Sequence, residues 1–268
     1  MKNLTGYWLS TVNNKFANYG DILTPYIFEK YDINLTYTTV DPQIYGIGSL
    51  LHMIDDNYKG YVWSTGFMYP TKFLNFKHNP ICVRGKLSKN QFLNDTTNTY
   101  IGDGGLILDR IYKPKVTKKY KLGVFPNYCD IVNMKDNPIH NFDLFKRDDV
   151  LFIDPRDYIE TVINNVNSCE NVITSSLHGI VTCDSYNINH GVFCSRETKL
   201  AIHICQGSFK FRDYYSTFDN DFNFENILYL DNNISFEKCV SICKQVNKPN
   251  LEIVKDDIEK SIEIIKNL

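Results

Sequence analysis

The residues with most to offer a reaction gather at two places in the chain. Residues 171–187 read NVITSSLHGIVTCDSYN, which sets Ser175, Ser176 and His178 between a β-branched run and an apolar stretch free of proline. Val172 and Ile173 suit the end of a buried strand, and the stretch from Ile180 suits a helix. Strand, polar turn and helix together present a helix N-terminus to an anion. His178 adds a donor that titrates near neutral pH. The second place is Arg84, in VRGKLS, whose guanidinium can fork onto a carboxylate or a phosphate. Asp21 and Asp103 stand in glycine-containing turns as candidate acids or bases, and Gly20 and Gly66 let backbone N–H groups approach an anion. Such a set suits a small polyanion. The same residue types also allow plainer roles: Ser175 and Ser176 as helix caps, His178 as a structural histidine, Asp21 as an N-cap, Asp103 as a turn residue and Arg84 in an ion pair.

Those residues need strands to carry them, and the hydropathy pattern supplies them. β-like runs are expected at residues 4–10, 35–40, 61–67, 81–83, 122–126, 150–153, 171–174 and 191–194. Helical spacing begins near Ile22, near Leu50, at about Ser88, from Ile159 to Val166, after Ser176, over 236–246 and from Ile258 onward. Asp157 and Glu160 match a capping box, and residues 134–147 are polar and only weakly patterned. Glycines punctuate the strand ends. Short strands alternating with helices indicate an α/β fold with a mainly parallel sheet. The basic stretch KPKVTKKYK breaks the pattern between 109 and 121, so the expected organisation is a domain over 1–115 and a second over 116–268, with the C-terminal helix free to pack on either.

Composition narrows the chemistry. The 268 residues carry a net charge of −2 with 43% hydrophobic residues, which gives no nucleic-acid surface and enough apolar material for a core. No apolar run nears the ~20 residues of a membrane span, and the first residues lack a signal-peptide core, so a soluble, cytoplasmic protein with no integral membrane segment is expected. Eight dispersed cysteines without a C-x-x-C pair read as reduced core thiols, and no metal-ligand cluster is visible. His52, His78, His140, His190 and His203 fall in no recognisable spacing and are taken as structural. G-x-G-x-x-G, Walker, G-x-S-x-G and H-E-x-x-H motifs are all missing.

The order of the motifs resembles one family, the polysaccharide pyruvyl transferases. The matching pieces are NYGDILTPYI (18–27), GIGSLL (46–51), VWSTGF (62–67), VRGKLS (83–88), GDGGLIL (102–108), LGVFPNYCD (122–130), VITSSLHGIVTCDSYNIN (172–189) and FKFRDYYST (209–217). The resemblance implies two Rossmann-like domains facing a cleft in a GT-B-like arrangement. It also implies transfer of pyruvate from phosphoenolpyruvate, the donor substrate, to a saccharide, nucleotide-sugar or lipid-linked sugar, with no further cofactor. The family's arginine in R-G-x-x-S falls on Arg84 and its histidine in S-L-H-G on His178, both associated with donor binding. Ser175, Ser176, Gly20 and Gly66 join them as donor-side candidates, with His178, Asp21 and Asp103 as candidate acid and bases. Lys210, Arg212, Asp213 and Tyr214 are the acceptor-side candidates, although their types equally suit a solvated face and ring packing. One element departs from the family: Gly-Asp-Gly-Gly stands at 102–105. A GT-B-type glycosyltransferase using a nucleotide-sugar, and a non-catalytic saccharide-binding protein, are the competing readings.

Overall fold

The computed structural model describes residues 1–9, 18–70, 74–75, 80–133, 142–194, 208–220, 227–229, 231 and 233–268. Ser10, His78, residues 134–141 (with His140), His203 and Cys205 lie outside the described residues. The chain is a mixed α/β protein with parallel sheets, and its contacts divide it into two units. The first comprises Met1–Ile111, Cys205–Phe222 and Lys248–Leu268, and the second Tyr112–Ile204 and Asn223–Asn247. The sequence boundary at 115/116 thus falls at 111/112, and the segment after 205, which sequence alone assigned to the second domain, has its contacts in the first.

In the first unit, β1 (Lys2–Tyr7), α1 (Leu23–Lys30), β2 (Ile33–Tyr37), β3 (Ile44–Tyr45) and β4 (Tyr61–Val62) form a parallel sheet ordered β2-β1-β3-β4. Parallel bridges from Gly48 to Thr65 and from Thr65 to Val83 carry the ladder on to β5 (Cys82–Val83) and β6 (Tyr100–Ile101). The run expected at 61–67 is short because Ser64 turns left-handed at φ 56°, a conformation that breaks regular pairing. Two short helices follow, α2 (Lys86–Lys89) and α3 (Leu108–Ile111).

The second unit contains β7 (Tyr120–Phe125), α4 (Tyr128–Asn133), β8 (Val150–Phe152), α5 (Ile159–Asn167), β9 (Cys169–Thr174), α6 (Leu177–Ser185) and β10 (Asn189–Cys194). Next in the chain come α7 (Ser208–Ser216), belonging to the first unit, then β11 (Leu228–Tyr229) and α8 (Phe236–Ser241) of the second, and α9 (Leu251–Lys266) of the first. The second sheet is parallel, ordered β11-β10-β9-β7-β8. Central β7 is buried without interruption from Leu122 to Phe125, as expected for a strand covered on both faces. Counted from its own first strand, the first sheet runs 2-1-3-4 and the second 2-1-3-4-5, the latter a common order of open α/β sheets. Such sheets bind ligands outside the carboxyl ends of the two strands where the order reverses. Those strands are β1 and β3 in the first unit and β7 and β9 in the second.

Both units are closed by amphipathic helices. On α5, Ile159, Val162, Ile163 and Val166 form the buried stripe that the sequence spacing predicts. The capping box is not formed: the N-cap is Tyr158, and no side chain caps this helix. On α9, Val254, Ile258, Ile262 and Ile265 face inward, and Ser261 accepts a 2.8 Å hydrogen bond from the Trp63 indole.

Candidate functional site

Arg84 ends β5 and is 1% exposed. Its Nε donates to Asp213 Oδ2 at 2.9 Å, its Nη1 to Ser49 Oγ at 2.8 Å and its Nη2 to the Phe67 carbonyl at 2.5 Å. The same Asp213 carboxylate accepts from the Ser88 backbone N–H at 2.7 Å and from the Ser88 hydroxyl at 2.6 Å. Burial pushes the Asp213 carboxyl up, while Arg84 and Ser88 pull it back down. The backbone joins in: Thr217 Oγ1 donates to the Arg84 carbonyl, and Lys86 N donates to Ser216 Oγ. At Gly85 a β-carbon would lie 1.8 Å from the Asp213 carbonyl oxygen, so only glycine admits α7 this close. A β-carbon at Gly66 would strike the Arg84 guanidinium at 2.5 Å, which is why that turn also lacks one. The R-G-x-x-S element and the F-R-D-Y-Y-S-T element are therefore one interlock.

Two sequence-predicted site residues thus meet each other. Asp213, expected on the acceptor side, is fully buried as the counterion of Arg84. Arg84, expected on the donor side, bonds Asp213, Ser49 and Phe67 within the unit. Of the other acceptor-side candidates, Tyr214 is buried with its ring edge-on to Tyr215 and Phe218, Lys210 is half-buried and Arg212 is exposed. Asp103 caps the 3₁₀ turn Gly104–Ile107 by accepting from Gly105 N at 3.0 Å. It is fully buried, which drives its carboxyl up to about 6 against the opposing pulls of the Gly105 bond and of Arg84.

Gly20 is buried in the turn before α1. Asp21 follows it and accepts a 2.9 Å hydrogen bond from the Asn18 amide. It does not cap α1, whose N-cap is Ile22 with no side-chain bond. Desolvation raises the Asp21 carboxyl to about 6, opposed by Asn18 and by the Lys210 ammonium.

In the second unit, the carboxyl ends of β7 and β9 are stitched together. Thr174 Oγ1 donates to the Phe125 carbonyl at 2.7 Å, and Asn127 N donates to Ser175 Oγ at 2.8 Å. Ser175 in turn donates its hydroxyl to Asp130, a residue that sequence reasoning passed over. The signal was present in the Asn-x-x-Asp spacing of PNYCD, where Asp130 N closes a turn onto the Asn127 carbonyl at 3.0 Å. Ser176 holds the N-cap position of α6 with extended backbone, yet its side chain makes no capping bond. His178 sits in the first turn of α6, 8% exposed, and its carbonyl accepts from Thr182 Oγ1. The first turn of any helix presents N–H groups that have no acceptor inside the helix, so this strand end keeps the polarity an anion favours.

No family model matches the chain. The chain is similar to an uncharacterized protein, L143, of Acanthamoeba polyphaga mimivirus, with 27% identity over 218 residues that cover 76% of this chain and 72% of that protein. Among the described residues, no helix is long and apolar enough to cross a membrane, and no group of three or more His, Cys, Asp or Glu side chains could hold a metal ion.

Proposed function

We propose that the protein is a pyruvyl transferase that moves pyruvate from phosphoenolpyruvate to a saccharide, on two Rossmann-like domains of the GT-B kind. The observation that carries this reading is the polar strand end of β9, where Ser175, Ser176 and His178 lead into α6 at the point of strand-order reversal. A doubly anionic three-carbon donor suits such a helix start. The interlock adds support of another kind. It gives a physical reason for the R-G-x-x-S and F-R-D-Y-Y-S-T elements of the resemblance to occur in one chain, since each completes the other. In this reading Arg84 is a positioning residue, and His178 is the group that meets the donor.

The chemistry balances without an outside reagent. One sugar hydroxyl adds to C2 of phosphoenolpyruvate as C3 takes a proton and becomes the methyl group. The C2–O bond to phosphate then breaks, and a second hydroxyl closes the ketal on C2. Of the two hydroxyl protons, one ends on the methyl carbon and the other leaves with phosphate. His178 can give the proton to C3 or to the departing phosphate, a role worth about 10²–10⁴ in rate.

The test is phosphate release from phosphoenolpyruvate across a panel of nucleotide-linked and lipid-linked sugars. Release that depends on the sugar, and that falls by about 10²–10⁴ in a folded His178→Ala protein, is the expected result. Stabilisation by UDP or GDP with no phosphate released by any sugar would replace this reading with a nucleotide-sugar transferase.

A further inference from the structure

The first unit bears, at the carboxyl ends of its strands, a row of aromatic rings that no motif of the resemblance includes in full. Trp8 meets the Tyr37 ring edge-on at 5.0 Å, Tyr37 meets Tyr7 at 6.0 Å, Tyr7 meets Tyr45 at 5.0 Å, and Tyr45 meets Tyr58 edge-on at 5.1 Å. Register explains the middle of the row, because Tyr7 and Tyr45 are paired residues of β1 and β3 and share a sheet face. Tyr45 and Tyr58 rest on the apolar cluster that includes Leu51, Val62 and Phe67, which anchors that end of the row. All five rings are half-buried. The two strands are those between which the strand order reverses, where open α/β sheets bind their ligands. Burial raises the Tyr7 phenol, with Tyr37 and then Asp21 adding to it.

Every ring of the row carries a polar tip, a hydroxyl on each tyrosine and an N–H on Trp8. A sugar ring has matching parts: an apolar C–H face and a rim of hydroxyls. Tyr and Trp present an apolar body and a polar handle in the same way.

We propose that this row is a saccharide platform, on which the apolar face of a sugar ring stacks on Tyr37 beside Trp8. Identifying the bound sugar as the acceptor rests on the transferase reading; the platform itself does not. It moves the acceptor from the 210–214 segment to the ends of β1, β2 and β3.

Trp8 and Trp63 are the two tryptophans of the chain, and Trp63 is fully buried, so an aqueous quencher such as acrylamide reports on Trp8. The whole chain is titrated with the methyl glycosides of glucose, galactose, mannose and N-acetylglucosamine, with acrylamide quenching read at each step. At least one glycoside is expected to shield Trp8. Tyr37→Ala should weaken that binding about tenfold and Tyr37→Phe much less, as loss of one stacking ring requires; Trp8→Leu, followed by calorimetry, serves if Tyr37→Ala fails to fold. Shielding by none of the four, or unchanged affinity in a folded Tyr37→Ala protein, overturns the platform. Phosphate release on the same samples separates the two proposals. Release with an unchanged sugar KM in Tyr37→Ala removes the platform and keeps the transferase, whereas shielding with no release from phosphoenolpyruvate keeps the platform and removes the transferase.

Discussion

The two strand ends that looked equivalent in sequence differ in what holds their polar groups. At the end of β5, Arg84 is met by Asp213, which comes from a helix 129 residues further along and brings a full charge. At the end of β9, Ser175 is met by Asp130 of α4, 45 residues earlier, and the contacts that join them to Asn127 come from a hydroxyl and a backbone N–H. In each unit, then, an internal carboxylate stands where sequence reasoning placed an incoming anion. The consequence differs. A buried cation needs its counterion, because an isolated charge in the interior costs several kcal/mol. At the second end the groups that meet Asp130 are a hydroxyl and a backbone N–H, so losing one of them leaves no uncompensated cation. The first end is therefore fastened by an ion pair, and the second by hydrogen bonds from neutral groups.

The sharpest way to break this comparison is to remove Asp213. Asp213→Ala leaves Arg84 buried without its counterion and strips Ser88 of two acceptor contacts. The expected loss is about 3–5 kcal/mol, read as the shift of a urea unfolding midpoint at constant slope. The double variant Arg84→Leu with Asp213→Leu should recover much of that loss, since an apolar pair of similar volume often equals a buried ion pair. Full stability in the single variant would show that Arg84 finds solvent, and the fastening would be gone as an idea.

The second end should respond more gently. Ser175→Ala takes a donor from Asp130 and an acceptor from Asn127 N, for a loss of about 1–3 kcal/mol in the same assay. A loss as large as that of Asp213→Ala would erase the distinction between the two ends.

How much of this was legible in the residues follows from the range of the interactions involved. The alternation of strands and helices, and the helix from Ile159 to Val166, rest on local periodicity and could be read directly. Glycine at 66 reads as admitting an anion and glycine at 85 carries no reading; the groups that approach them are the guanidinium of Arg84 and the backbone of α7. Asp213 looked like one charge in an exposed run, KFRD. Its burial depends on pairing with a residue 129 positions away, and no local pattern encodes that. The aromatic row was hidden for the same reason: Tyr7, Tyr37 and Tyr45 become neighbours only through strand order and register.

The last expected effect bears on Asp103, which lies near the fastening without belonging to it. Its carboxyl titrates near 6 in the fold, against an ordinary value of 3.8, because burial favours the neutral acid. A carboxyl raised on folding holds its proton more tightly in the native state, so its contribution to stability is greatest below pH 4 and is lost as pH rises through 6. Asp103→Asn stays neutral throughout and can still accept from Gly105 N. The variant should match the wild-type protein near pH 4 and exceed it by pH 7.5, by about 3 kcal/mol, as a carboxyl raised from 3.8 to about 6 requires. Urea midpoints of both proteins at half-unit pH steps give that difference directly, and the surface carboxylates common to both cancel. A difference of the opposite sign would mean that the ionised Asp103 is drawn into the Arg84 charge balance. The interlock would then hold two anions on one cation, and the contrast between a sealed ion pair and a strand end held by a hydroxyl and a backbone N–H would have to be drawn around Asp103 as well.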